Sequence, residues 1–324
     1  MQSYWIQVDG NATRLDRRET PVPTPGPNQL LVRIRAASLN RGEFIAGHGL
    51  TKAGAAKPAG GEGSGEVIAL GAGVAGFAIG ERVMGRCPGA FAQFALMDAR
   101  EAIAMPPNLS WEEGAAIPLT FNVVHDMLIE QGHLAAGQWL LVTGISAGVG
   151  VAALQTAKML GAKVIGTSGS QAKLDRLRDL GLDVGIRTRA PDFHDEVMRA
   201  TGGKGVDLVV NNVGGTVFAE CMRVMAFQGR LATVGYVDGV LESQIDLEVL
   251  HRNRLTLFGV SNKMRNTEQR AQTVHGMIAD VLPAIADGRI KPVIDRVFEF
   301  DALQEAKAYM ESNAHLGKIA IRIQ

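Results

Sequence analysis

Seven residues, Gly144-Ile145-Ser146-Ala147-Gly148-Val149-Gly150, separate a strand-like run, WLLVT at 139–143, from a run rich in small apolar residues at 149–160. A helix that begins after such a turn presents unpaired N–H groups and a partial positive charge, and glycines let an anion approach them. The pattern predicts a pyrophosphate-binding turn contacted by Gly144, Ser146, Ala147, Gly148, Val149 and Gly150. The usual glycine fingerprint has its middle position filled by a methyl group here, that of Ala147. Where the next strand ends, a site that prefers NAD carries a carboxylate for the ribose 2′-OH. This chain has Ser168, Ser170 and Lys173 there, with Arg187 further on. Hydroxyls and cations suit a 2′-phosphate, whereas a carboxylate repels it, so NADPH is the expected cofactor. The plainer reading of Lys173 and Arg187 is a pair of solvated surface charges.

The elements that must hold this turn alternate. After WLLVT and its helix come a strand at 163–167, an amphipathic helix at 170–180 with Ser170 as N-cap, and strands at 206–211, 230–235 and 255–260, with a helix around 218–226. Repeated βα units of this length predict a doubly wound parallel Rossmann sheet whose ligand crevice lies at the carboxyl ends of the strands. Before residue 120 the character differs: short β-branched runs at 29–37, 65–70, 81–84 and 91–97, divided by Gly and Pro, predict a compact β-rich domain. A helix at 267–287 with Pro283 inside it and a last strand in GKIAIRIQ complete the chain. The expected organisation is α/β: a β-rich domain from 1–122 and 261–324, with a dinucleotide-binding domain at 123–260 inserted into it.

Composition narrows the function classes. The 324 residues carry 33 Lys plus Arg against 33 Asp plus Glu, so no net charge draws the protein toward nucleic acid or anionic membranes. No apolar run approaches the roughly 20 residues that span a bilayer, and the N-terminus lacks a leader pattern, so a cytoplasmic protein is expected. Two distant cysteines, Cys87 and Cys221, exclude a disulfide framework and a cysteine-rich zinc lobe. His48, His125, His251 and His275 read as surface or loop residues.

The stretch LLVTGISAGVGVAALQTAKMLGAKVIGTSGSQAKLDRLRDLG resembles the coenzyme domain of the medium-chain dehydrogenase/reductase superfamily, specifically its zinc-independent quinone oxidoreductase branch. ASLNRGEF, GGEGSGEVIALGAGVAGFAIGERV, GAFAQF, VVNNVGG, GRLATVG and LGKIAIRI follow the same order as that family's landmarks, and the resemblance spans nearly the whole chain. It implies that the β-rich part is a GroES-like substrate domain. Zinc-dependent members carry a Cys ligand where Asn40 stands and a His where Gly61 stands, so no metal is expected. The resemblance also implies that Asn40 lies near the nicotinamide, where its amide donates to the substrate oxygen or a bound water; the alternative is an asparagine that holds a turn. Thr120 is expected in the nicotinamide pocket, with helix capping as its alternative. Asn212, Gly214, Gly235 and Ser261 are expected at strand ends on the nicotinamide side.

Without a Lewis acid, a quinone or an α,β-unsaturated carbonyl is the tractable hydride acceptor, because the anion left behind is delocalised. The branch often has a tyrosine a few residues after the asparagine; here Phe44 and Ile45 stand there, so a tyrosine donor is not expected, and the proton donor stays open, with His48 in its Gly-rich loop a weak substitute. Two other readings stay open: reduction of an enoyl thioester, with Arg252, Arg254, Lys263 and Arg265 as a basic mouth for a carrier phosphate, and a nucleotide-binding protein with vestigial activity in an interaction role. Pairing of the edge strand at 255–260 with its own copy would give a homodimer.

Overall fold

The computed structural model describes residues 1–9, 12–45 and 55–324. His48 lies outside them. The chain forms two compact units: Met1–Asn122 with Asn262–Ala286 and Pro292–Gln324, and Val123–Ser261 with Asp287–Lys291. No helix among the described residues is long and apolar enough to cross a membrane.

In the first unit, the strand Gln29–Ser38 (QLLVRIRAAS) is buried along almost its whole length. Its ends, Leu30–Val32 and Ala36–Ser38, are buried, while in the middle the arginines at 33 and 35 alternate with buried Val32, Ile34 and Ala36, the period-two pattern of a strand with one face packed on the core. It lies third in a seven-stranded sheet ordered Ile294–Glu299, Lys318–Arg322, Gln29–Ser38, Glu62–Leu70, Arg82–Arg86, Ala102–Ala104, and it also pairs with Phe94–Asp98 off that path. Leu30, Val32 and Ile34 pack into one buried cluster with Phe91, Met97 and Ile321. An antiparallel hairpin, Gln2–Asp9 with Ala12–Glu19, forms a separate three-stranded sheet with Lys57–Pro58. This hairpin was not expected from the sequence, although Tyr4 and Ile6 alternate into the core and Ile6 pairs with Leu15.

The helix expected at 267–287 is two helices, Thr267–Asp280 and Leu282–Ala286. Proline has no N–H to donate and its ring clashes with the preceding turn's carbonyl, so Pro283 sits near the start of a new helix instead of inside the old one. Residues Asp287–Lys291, expected in the first unit, pack with the second. The Gln155 side chain explains this: its amide donates to Lys291 O (2.8 Å) and accepts from Lys291 N (2.9 Å).

The second unit is a six-stranded parallel sheet ordered Val184–Arg187, Lys163–Ser168, Trp139–Thr143, Val206–Asn211, Met225–Thr233, Thr256–Gly259. Leu141, Ile165, Val209 and Leu231 form the middle of one buried cluster on it. The chain order turns back at Trp139–Thr143, which makes the carboxyl end of that strand the topological switch point. The strand expected at 255–260 is Thr256–Gly259, at the edge of the sheet.

Candidate functional site

The predicted turn leaves Trp139–Thr143 at its carboxyl end and enters the helix Gly148–Met159. Gly144 holds φ +61°, the left-handed region that a Cβ disfavours. Ala147 is the N-cap with φ −72° and ψ 161°, an ordinary extended conformation, so the methyl in the middle of the fingerprint is accommodated without strain. No side chain caps this helix, and its first amides are left to an outside acceptor. Gly150 has a different task. A Cβ there would come within 2.5 Å of Ile145 O and 2.7 Å of Ile145 C and Cα, so its absence is what lets the helix sit against the turn.

At the end of the neighbouring strand, Ser168 is buried and stands directly beside Arg187 in the parallel ladder. The Ser146 and Ser168 hydroxyls are 3.5 Å apart, and Ser168 Oγ accepts from Ser170 N (3.3 Å). Ser170 Oγ accepts from Lys173 N (3.4 Å), so Ser170 is the N-cap of Gln171–Arg178 as the sequence predicts, with Lys173 in its first turn. A shallow open pocket is lined by Gly169, Arg187, Thr188 and Arg189. A Cβ at position 169 would collide with Arg189 Nε, so the guanidinium packs over the bare Gly169 backbone. Arg187 and Arg189 are both exposed. Arg189 was missed in the sequence; a second arginine two positions beyond Arg187 in IRTRA was the available signal.

The residues expected on the nicotinamide side are largely occupied with building their own turn. Asn212 is buried; its Nδ2 donates to Thr143 O (3.1 Å) and its N–H to Thr143 Oγ1 (3.1 Å). Its unnoticed neighbour Asn211 donates from Nδ2 to Gly214 O (2.9 Å) and accepts at Oδ1 from the N–H groups of Val213 and Gly214 (3.1 Å each). Gly214 takes φ +126° and ψ −149°, a conformation essentially confined to glycine, with Asp238 Oδ1 where a Cβ would project. Gly235 crosses 3.2 Å from Asn212 O, measured from where its Cβ would be, and Ser261 is exposed beyond the last strand.

In the first unit, Asn40 is the hub of a polar cluster. Its Nδ2 donates to Glu43 Oε1 and to Glu62 Oε1 (3.0 Å each), and its Oδ1 accepts from Lys318 Nζ (2.8 Å). Both amide hydrogens are therefore committed within the unit, and the expected direct donation to a substrate oxygen has no hydrogen left to it in this arrangement. Glu62 is fully buried, accepts from Lys318 Nζ (2.9 Å) and Ser38 Oγ (2.5 Å) at Oε1, and accepts from Leu119 N (2.8 Å) at Oε2. That last bond fastens the start of the helix Pro118–His125. Thr120 in this helix is buried, and its hydroxyl has no hydrogen-bond partner among the described residues, so it is not the capping group. His125, expected at the surface, is buried at the end of the same helix; His251 and His275 are exposed. Glu43, Glu62 and Lys318 went unnoticed as site residues because they are 19 and 256 positions apart, although a Glu inside GGEGSG is an unusual carboxylate for a strand.

A family model described as zinc-binding dehydrogenase matches residues 148–278, and one described as alcohol dehydrogenase GroES-like domain matches residues 26–107. A crystal structure of an NAD-dependent alcohol dehydrogenase is 30% identical, with both chains covered in full and a TM-score of 0.86. The chain belongs to the medium-chain dehydrogenase/reductase superfamily of oxidoreductases. Another superfamily structure, a mycobacterial protein complexed with NADPH, is 25% identical over the full length of both chains with a TM-score of 0.90. A phenolphthiocerol/phthiocerol polyketide synthase protein of Mycobacterium tuberculosis is 30% identical over 322 residues, 98% of this chain but 15% of that protein. The chain spans about one seventh of the length of the curated relatives it matches.

Among the described residues, the groups around Asn40 do not make a zinc donor set. At position 61 a side chain would begin 2.6 Å from Glu43 Oε1, so the carboxyl of Glu43 fills the direction in which a ligand would project. Asn40 is fully engaged, the ammonium of Lys318 sits in the same cluster, and among the described residues no three His, Cys, Asp or Glu converge to hold a metal. The two cysteines are buried and far from thiolate character: burial pushes Cys87 up to about 12 and raises Cys221 as well. A dinucleotide, by contrast, suits the uncapped helix Gly148–Met159 and the cations around Gly169.

Proposed function

We propose that the chain is an NADPH-dependent, metal-free reductase that passes a hydride to a quinone or an α,β-unsaturated carbonyl. The observation that carries the cofactor choice is the Ser168–Arg187 pairing with Arg189 over Gly169, where an acidic residue would select NAD. Under this reading the amides of Gly148, Val149 and Gly150 take the pyrophosphate, and Ser168, Arg187, Arg189 and Lys173 take the 2′-phosphate. The bound nicotinamide supplies the hydride. The first unit serves the acceptor, with the free hydroxyl of Thr120 as a hydrogen-bonding group and Asn40 as a positioning residue. The exposed edge strand Thr256–Gly259 supports a homodimer formed by its pairing across a two-fold axis, which light scattering at micromolar concentration tests directly.

Cofactor selection gives the first expected outcome. Arg189→Ala weakens NADPH by about tenfold to a hundredfold, the worth of a charge-assisted contact to phosphate, and leaves NADH nearly as it was. Lys173→Ala acts in the same direction. Equal losses for the two cofactors in fluorescence titrations would return these residues to ordinary surface charges.

The reaction is tested by NADPH oxidation at about 340 nm, the usual reduced-nicotinamide signal, with metal-depleted protein and a benzoquinone, a naphthoquinone, an enone, an enoyl thioester and a simple aldehyde. Turnover of quinones or the enone without the aldehyde is expected. A second reading, enoyl thioester reduction, is favoured by the 30% identity to polyketide synthases across 98% of the chain. Preference for the thioester would select it, and silence with retained NADPH binding would count against both.

A further inference from the structure

The helix that offers its first amides to a pyrophosphate is gripped again further along. Gln155, buried about two turns into Gly148–Met159, spends both ends of its amide on one residue: Nε2 donates to Lys291 O (2.8 Å) and Oε1 accepts from Lys291 N (2.9 Å). Bonds to both backbone groups of a residue fix it as a neighbouring antiparallel strand would. The segment Asp287–Lys291 belongs to the second unit, yet the chain on either side of it, Ala286 and Pro292, belongs to the first. Beyond Lys291 the chain has little freedom. Pro292 is buried with its φ fixed by the ring, and the residue before a proline is confined to extended backbone. At Val293, at most about 7 Å further on for two extended residues, the carbonyl accepts from Lys318 N (2.8 Å). Lys318 is the residue whose ammonium holds Asn40 Oδ1 (2.8 Å) and Glu62 Oε1 (2.9 Å).

We propose that Gln155 is a positioning residue, which ties the cofactor helix through residues 291–293 to Lys318 and so to the cluster around Asn40. Every link is either a hydrogen bond of ordinary length or a stretch of chain with restricted rotation, and no link depends on a flexible surface side chain. An opening that frees Lys291 from Gln155 therefore loosens the helix on one side and the Lys318 backbone on the other. The link itself rests on the cofactor reading of the turn before Gly148–Met159, and its effect on rate rests on the proposed hydride transfer.

The coupling has a measurable size. A local opening that destroys a binding site is suppressed by its ligand by a factor of one plus the ratio of free ligand to Kd, whereas an opening that leaves the site intact is unaffected. The amide hydrogens of Lys291 and Lys318 are both donors in the chain of bonds, one to Gln155 Oε1 and one to Val293 O. Their exchange with solvent reports whether helix, segment and cluster open together.

The test is hydrogen exchange at single-residue resolution on the whole protein, without NADPH and with NADPH at about 100 times its Kd. Exchange at Lys291 and Lys318 slows by about 100-fold, while the amides of the hairpin strand Gln2–Asp9, which opens without touching the site, keep their rates. Gln155→Leu, of similar size but without the amide, loses the slowing at both positions. Slowing at Lys291 without Lys318, slowing at neither, or equal slowing everywhere, hairpin included, would overturn the link; these wild-type comparisons stand even if the variant folds poorly. Rates then test positioning: Gln155→Leu lowers kcat with the best acceptor by about tenfold and leaves the Kd of NADPH within about twofold. An unchanged kcat would reduce Gln155 to a fastening of its loop and overturn its part in the reaction. Absence of turnover with every acceptor would instead defeat the reductase reading and leave the exchange to judge the link, and failure of NADPH to bind would defeat the cofactor reading and the link with it.

Discussion

Lys318→Met lowers the stability of the protein by about 3–5 kcal/mol, because it strips the countercharge from a carboxylate that cannot reach water. Glu62 is fully buried, and the Lys318 side chain retains 9% of its exposure. The ammonium also satisfies Leu39 O and Asn40 Oδ1, so its loss leaves two further acceptors short of a donor. The double variant Lys318→Met with Glu62→Gln recovers most of the loss. The oxygen of the neutral amide can still accept from Leu119 N while its NH2 group donates to Ser38 Oγ, and no buried charge remains in the pair. Urea denaturation of the wild type, both single variants and the double variant gives the coupling directly. If Lys318→Met costs less than about 1 kcal/mol, or the double variant is no better than the single, the pair is not the electrostatic centre of this unit.

Gly150→Val abolishes measurable dinucleotide binding, with an expected affinity loss of at least about 100-fold, while the sheet survives. The branched side chain would start 2.5 Å from Ile145 O, and what it meets is backbone, which cannot rotate out of the way. The helix Gly148–Met159 must lift from the turn, and the open amides of its first turn move with it. Anion recognition by helix amides depends on their convergence within hydrogen-bond length, so a displacement of about 1 Å is enough to lose it. Overpacking of this kind also costs about 1–3 kcal/mol. NADPH titration combined with far-ultraviolet circular dichroism separates lost binding from lost fold. Retained affinity would show that the turn is not the pyrophosphate site.

Local patterns were sufficient wherever one element makes its own case. The strands Trp139–Thr143 and Val206–Asn211 fall where the sequence places them, because β-branched apolar runs between turn residues have few other stable conformations in a buried sheet. Ser170 is the N-cap it reads as, since a hydroxyl three positions before an amide satisfies that amide in almost any helix. The N-terminal hairpin was legible in principle, through the alternation of Tyr4 and Ile6, but the charged second strand, ATRLDRRE, masks it. Its partnership with Lys57–Pro58 is not a local property.

The order of glycines, the alternation of strands and helices and the lack of an acid near Ser168 are properties of neighbouring residues, so the sequence alone determined the dinucleotide-type sheet and the expected cofactor. The tertiary structure decided which groups the Asn40 amide meets: Glu62, 22 positions away, and Lys318, 278 positions away, take it up on both sides. It also decided that Arg189 lies over Gly169 and that Glu43 fills the space beside Gly61. Burial and hydrogen-bond saturation are set by everything that surrounds a group, and a linear sequence does not contain those surroundings.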